Sequence, residues 1–184
     1  MVNTGIDKYF IALVLPEPWQ QQVMALKEYV KENFNSKAAL RSPAHITLHM
    51  PFDWKANKEE LLIQALTDFK FKEAVSVELK NFSSFEPRVI YVNVVKNEIL
   101  DQLQKELVKH IKNNLGLMNE AENMRGFHPH ATIAFRDLNK AKFNEAWGYF
   151  KSKMYSGSFT VNSFHLLKHS PGKWEVYHEF FFHR

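Results

Sequence analysis

One order of strands and helices occurs twice along this chain, and that repetition constrains its fold more than any other feature. Tyr9–Leu15 is aliphatic and β-branched and is closed by Pro16 and Pro18, which predicts a strand. Trp19–Asn33 carries Trp19, Val23, Leu26 and Val30 near helical spacing. His45–Met50 alternates and stops at Pro51, so it reads as a strand. Asn57–Lys70 reads as a helix, with Asn57 as N-cap and Leu61, Leu62, Ala65, Leu66 and Phe69 as its buried stripe. Val75–Phe82 and Val89–Val95 read as strands on either side of a turn at Pro87. Glu98–Leu115 is helical, because Ile99, Leu103, Leu107, Val108 and Ile111 repeat at three and four and Gly116 ends the run. Strand His130–Phe135, helix Lys140–Met154 and strands Phe159–Leu167 and Trp174–Phe182 follow.

Each half thus runs strand, helix, loop, His-bearing strand, helix, strand. The offset stays near 84: strand 9–15 matches 89–95, helix 57–70 matches 140–154, and Val75, Val77 and Pro87 match Phe159, Val161 and Pro171. The expected architecture is α+β, with two pseudo-symmetric lobes, each an antiparallel sheet with two helices, facing a central groove. It forms a single bilobal domain over residues 1–184, with lobe one about 1–86 and lobe two about 87–184. A single α+β sandwich whose alternation mimics duplication is the alternative. A chain of 184 residues buries roughly 70% of its unfolded surface, enough for a core without staples.

Composition narrows the chemistry. No Cys means no disulfide framework, thiolate zinc site, iron–sulfur cluster or cysteine nucleophile. A hydrophobic content of 45% excludes a disordered chain. The apolar stretch Phe10–Leu15 is too short for a signal peptide, and no run approaches the ~18 residues of a spanning helix, so a cytoplasmic address and no membrane partner are expected. The net charge of +4 suits a small anionic ligand better than a long nucleic acid, and DNA is not an expected partner.

At equivalent places in the two halves the chain reads RSPAHITLHMPF and RGFHPHATIAF. Both contain His-x-Thr and then an aliphatic residue, His45-Ile46-Thr47-Leu48 and His130-Ala131-Thr132-Ile133, at an offset of 85. Nine His and five Thr in 184 residues give roughly 0.2 such triplets by chance, so two in register carry information. On a strand, residues i and i+2 share a face, so His45 and Thr47 point one way while Ile46, Leu48 and Met50 point into the core. His130 and Thr132 likewise lie opposite Ala131, Ile133 and Phe135. Two such strands across a groove place two imidazoles and two hydroxyls around one small anion.

In-line displacement at phosphorus needs a base for the attacking oxygen and an acid for the leaving one. Histidine, with an ordinary pKa near 6.5, supplies both at neutral pH. The hydroxyls of Thr47 and Thr132 would hold the non-bridging oxygens. No Walker loop, dinucleotide fingerprint or carboxylate cluster proposes a metal or other cofactor. His128-x-His130 offers a zinc alternative that lacks a nearby third ligand. His49 lies on the expected face of the motif, as does His128. Arg41, Arg125, His128 and Phe52 are the candidate substrate-binding residues: Arg forks suit phosphate, and an aromatic ring suits a base. Core packing is the competing use of Phe52, and an ordinary half-buried strand histidine is the competing reading of His45 and of His130.

With these paired motifs, the opening YFIALVLP and the segments HITLHMPF and FHPHATIAF, the chain resembles the two-histidine phosphoesterase superfamily over essentially its whole length. That superfamily includes 2'-5' RNA ligase-like proteins and cyclic phosphodiesterases. The resemblance implies that His45 and His130 are the acid–base pair and Thr47 and Thr132 the phosphate holders. It implies hydrolysis of a 2',3'-cyclic or related phosphodiester at an RNA end or on a small nucleotide; a monomer without metal or other cofactor is the expectation beside it. An ATP-independent 2'-5' RNA ligase and a non-catalytic RNA-binding module stay open, as does which histidine is acid and which base.

Overall fold

The computed structural model describes residues 5–119 and 126–182. Among these residues eight strands and four α-helices follow one another as β1 (Ile6–Val14), α1 (Trp19–Phe34), β2 (His45–Lys55), α2 (Glu59–Thr67), β3 (Val75–Phe85), β4 (Val89–Val94), α3 (Glu98–Leu115), β5 (His130–Ala134), α4 (Lys140–Phe150), β6 (Ser156–Val161), β7 (Ser163–Ser170) and β8 (Lys173–Phe181). Local chemistry explains several of the ends. Asn97 caps α3 by accepting from the N–H groups of Ile99 and Leu100, and Gly116 closes that helix in the left-handed region, where a Cβ would be strained. Asn139 caps α4 through the Lys142 N–H. Asn57, expected to cap α2, instead sits in a 3-10 turn, Ala56–Lys58, and α2 starts at Glu59.

The strands form two four-stranded antiparallel sheets, β2-β1-β7-β8 and β5-β4-β3-β6, so the α+β class with two facing sheets holds. The sheets are not the two halves of the sequence. β7 and β8 return to pair with the N-terminal strands, and β3 joins β4. The stretch Phe159–Leu167, expected as one strand, breaks at Asn162 into β6 and β7, which belong to different sheets. Val75 and Val77, matched by offset to Phe159 and Val161, are cross-strand neighbours in the second sheet, Val75 opposite Val161 and Val77 opposite Phe159. Apolar patterning marks a strand and its faces but carries no record of its hydrogen-bonding partner, so sheet membership does not follow the order of the sequence.

One face of β1 (Tyr9, Ile11, Leu13) joins the large core with Val23, Val30, Leu103, Leu107, Ala131 and Ile133. The other face, Phe10 and Ala12, makes a separate small apolar patch with Leu167 and the half-buried Val14 and Trp174. α1 packs against β5 and α4, whereas α3 packs against α2, β2 and β3. The helix that follows the first strand in sequence therefore backs the second motif strand.

Close packing of α1 on the second sheet is sharpest at Gly157 of β6. A Cβ built there would collide with three ring carbons of Trp19, the first residue of α1. To make room, the half-buried indole must swing aside or the helix must move. Gly157→Ala is therefore expected to cost about 1–3 kcal/mol, and a thermal melt should show a fall of several degrees in Tm. An unchanged Tm would mean that Trp19 swings free.

Candidate active site

His45 opens β2 and His130 opens β5. β2 is the edge strand of one sheet and β5 of the other, and these two edges approach each other. In each strand the expected alternation holds: Ile46, Leu48, Ala131 and Ile133 are buried, and His45, Thr47, His130 and Thr132 are half-buried on the opposite face. Directly paired residues share a face, so Val14 lies beside His45, Ala12 beside Thr47, Asn93 beside His130 and Tyr91 beside Thr132. Ala12 belongs to the small apolar patch, which places His45 and Thr47 on the side of the sheet away from the main core.

The two rings are held alike. His45 Nδ1 lies 2.7 Å from the Pro43 carbonyl, and His130 Nδ1 lies 2.6 Å from the His128 carbonyl. Each acceptor is two residues before its histidine. A carbonyl only accepts, so Nδ1 donates and carries the hydrogen, which leaves each Nε2 to take up or release a proton. The Phe10 ring stands 4.8 Å from His45, and Tyr91 and Phe85 stand 4.8 and 5.1 Å from His130. These apolar surroundings disfavour the charged imidazolium. Burial, with the Lys27 ammonium next in weight, pushes His45 down to about 3, and the charge on His130 adds to the same effect. Burial lowers His130 too, opposed by its bond to the His128 carbonyl and reinforced by the His128 imidazole. The charge on His130 thus bears on His45 across the seam.

The other sequence-derived candidates divide. His128 is exposed and contributes its carbonyl to His130, while its ring edges Phe85 at 6.3 Å. Arg41 is exposed and ends a 3-10 turn, Ala38–Arg41, four residues before His45. Arg125 lies outside the described residues. Phe52 packs on the core side: its ring stacks on Tyr9 at 6.1 Å and edges His49 at 5.3 Å. His49 also leaves the expected face. It is 1% exposed whereas Met50, expected inside, is 44% exposed. The cause is a pair of register shifts between β1 and β2 around Ile11, which reverse the alternation beyond Leu48. Among the described residues no three His, Asp or Glu side chains are grouped to hold a metal ion.

Sequence reasoning missed several neighbours. Asn93, beside His130, is the one polar residue within Val92–Val94. His165 of β7 pairs with Ala12, so it sits in the row of Thr47, and Glu179 of β8 lies across from it with its carboxylate 3.5 Å from His165 Nε2. Ser163 Oγ steadies that carboxylate at 2.6 Å. Strand alternation puts each residue on a face but does not bring β7 beside β1. Lys27 left a sequence trace, a charge inside the apolar stripe of α1: the buried residues of that helix are Val23, Lys27 and Val30.

Relatives are found by sequence and by shape. A family model described as the 2'-5' RNA ligase superfamily matches residues 15–173. A protein of Geobacillus sp. (strain WCH70), provisionally named a phosphoesterase, is 31% identical over 177 residues, which are 94% of this chain and 95% of that protein. The crystal structure of Escherichia coli LigT in its apo form superposes with a TM-score of 0.67 at 19% identity, covering 98% of this chain and 99% of LigT. LigT complexed with 3'-AMP gives 0.67 at 17% identity over 98% and 100% of the two chains. TT0787 of Thermus thermophilus gives 0.63 at 16% identity, covering 95% and 97%.

Proposed function

Because the chain belongs to the 2'-5' RNA ligase superfamily, we propose that it is a metal-independent phosphoesterase that hydrolyses a 2',3'-cyclic phosphodiester at an RNA end or on a small nucleotide. Phosphoester chemistry is the general function that membership carries. The observation that supports the finer reading is the matched pair of imidazoles, each tied through Nδ1 to the carbonyl two residues earlier and each followed two residues later by a threonine on the same face.

In this reading one imidazole Nε2 takes a proton from water as the water oxygen attacks phosphorus. The bond from phosphorus to one ribose oxygen breaks, and the second imidazole, protonated at Nε2, gives its proton to that oxygen. The product is a phosphomonoester, and exchange with solvent resets both rings. Thr47 and Thr132 donate to the non-bridging oxygens as charge builds on them. An anion between the rings also favours the protonated form of one of them, so the acid is charged in the complex even though burial lowers both histidines in the free protein. LigT has been crystallised with 3'-AMP, a nucleotide with a terminal phosphate. We assign a ligand of that class to the seam between β2 and β5. Among the described residues no helix is long and apolar enough to cross a membrane.

The test is a substrate panel of 2',3'-cyclic nucleotides, 2'–5' oligonucleotides and paired tRNA halves, run with and without a chelator. The expected result is conversion of the cyclic nucleotides to monophosphates at a rate that chelation leaves unchanged. Sealing of tRNA halves without cyclic-phosphate hydrolysis would replace this reading with the ligase one. Salt-sensitive RNA binding without turnover would replace it with a binding module.

A further inference from the structure

α1 grips the three residues that lead into His45. Gln20 receives the Ala44 N–H on Oε1 at 2.6 Å and donates from Nε2 to the Ala44 carbonyl at 3.3 Å. Two turns along the same helix, Lys27 Nζ donates to the Ser42 carbonyl at 2.9 Å and to the Pro43 carbonyl at 3.2 Å. The Pro43 carbonyl is the one that receives His45 Nδ1, so a single oxygen, with its two lone pairs, joins the ammonium to the imidazole. Lys27 is 2% exposed, and a buried ammonium costs several kcal/mol that only such bonds offset.

The second motif strand holds its histidine differently. His130 has the same Nδ1 bond, but the like charge bearing on it is the exposed His128 imidazole rather than a buried lysine. The two histidines are alike in backbone and unlike in what stands behind them.

We propose that Lys27 is a positioning residue that makes the paired histidines unequal: anchored on the Ser42 and Pro43 carbonyls, it fixes the His45 ring and keeps that ring the base, leaving His130 as the acid. The assignment rests on the acid–base reading above, and it gives a direction to a nearly symmetric site. The ribose oxygen that leaves must lie on the His130 side and the attacking water on the His45 side. The charges that bear on His45 are those of Lys27 from α1 and His130 from β5. Burial brings Lys27 down to about 7, so it still carries charge for part of the time at neutral pH.

Two variants separate charge from anchoring. Lys27→Met removes both, and Lys27→Gln removes the charge but keeps a donor for a carbonyl. The His45 ring is titrated by NMR, its signal assigned by its loss in His45→Ala, and this readout needs no turnover. Both variants should raise the His45 pKa by about one unit or more and move His130 less. On 2',3'-cyclic AMP, Lys27→Met should lower kcat about tenfold with little change in KM and shift the acidic limb of kcat/KM to higher pH, with Lys27→Gln retaining more of kcat. An unmoved His45 titration in either folded variant overturns the proposal. So does loss of kcat at all pH values alike, the mark of a merely structural lysine. If wild type turns over no cyclic phosphate, the hydrolase reading fails while the titration still decides the role of Lys27.

Discussion

His45→Ala and His130→Ala are each expected to lower turnover of a 2',3'-cyclic nucleotide by a factor of about 10² to 10⁴ while leaving the protein folded. Each ring is only half-buried and is held by one bond to a neighbouring carbonyl, so the core survives its removal. The double variant should be little worse than either single one, because base and acid act on one displacement and removing either strands the other. Circular dichroism and a thermal melt check the fold, and a discontinuous assay checks turnover. Full activity in either single variant removes that histidine from the chemistry.

The wild-type pH profile should carry the signature of two half-buried imidazoles in apolar surroundings. The base must be neutral and the acid protonated in the same molecule. In the free protein both titrate below the ordinary histidine value near 6.5, His45 at about 3 and His130 lowered for the same reason of burial. kcat/KM, which reports the free protein, should therefore be bell-shaped with its optimum on the acid side of 6.5. A bound phosphate raises the acid, so the alkaline limb of kcat should lie at higher pH than that of kcat/KM. Coincident alkaline limbs would show that the anion does not contact the protonated ring.

Asp137→Ala is expected to destabilise the protein by about 2–3 kcal/mol and to slow turnover as well. Asp137 follows β5, just after Arg136, which holds a positive φ of 64° and turns the chain out of the strand. Its carboxylate reaches across to the segment before β2. There it accepts from Ser36 Oγ at 2.6 Å, from the Lys37 N–H at 2.8 Å and from the Ala38 N–H at 3.0 Å. It thereby satisfies the free N–H groups that open the 3-10 turn leading to His45. One side chain thus links the end of the second motif strand to the approach of the first. Removing it leaves the buried Ser36 hydroxyl without this acceptor and loosens the spacing between the two imidazoles. Asp137→Asn, which keeps one acceptor oxygen, should recover part of both losses. Chemical denaturation and steady-state kinetics read the two effects. A variant that loses stability with full turnover would show that the spacing is set elsewhere.

Local rules carried a long way here. The faces of the motif strands follow from period-two alternation, and α3 begins and ends where Asn97 and Gly116 stand, because caps and stripes are properties of a few neighbouring residues. They fail where two segments meet. The faces of His49 and Phe52 depend on register shifts against β1, and an isolated strand pattern contains no partner to slip against. The stretch around Asn162 reads as one strand because both of its parts are apolar, yet their backbone groups pair with different sheets.

The sequence alone therefore settles what each short segment is and which side chains it offers: two strands that each present an imidazole and a hydroxyl, in a chain with no thiol. Tertiary structure settles which of those offers meet. It brings two edge strands together at a seam, sets His165 and Asn93 beside the motifs, and drives Lys27 under one histidine of the pair. The physical reason is range. Side-chain direction and capping act over a few residues, whereas strand pairing and the burial of a charge depend on groups tens to more than a hundred positions away, brought close only by the packed core.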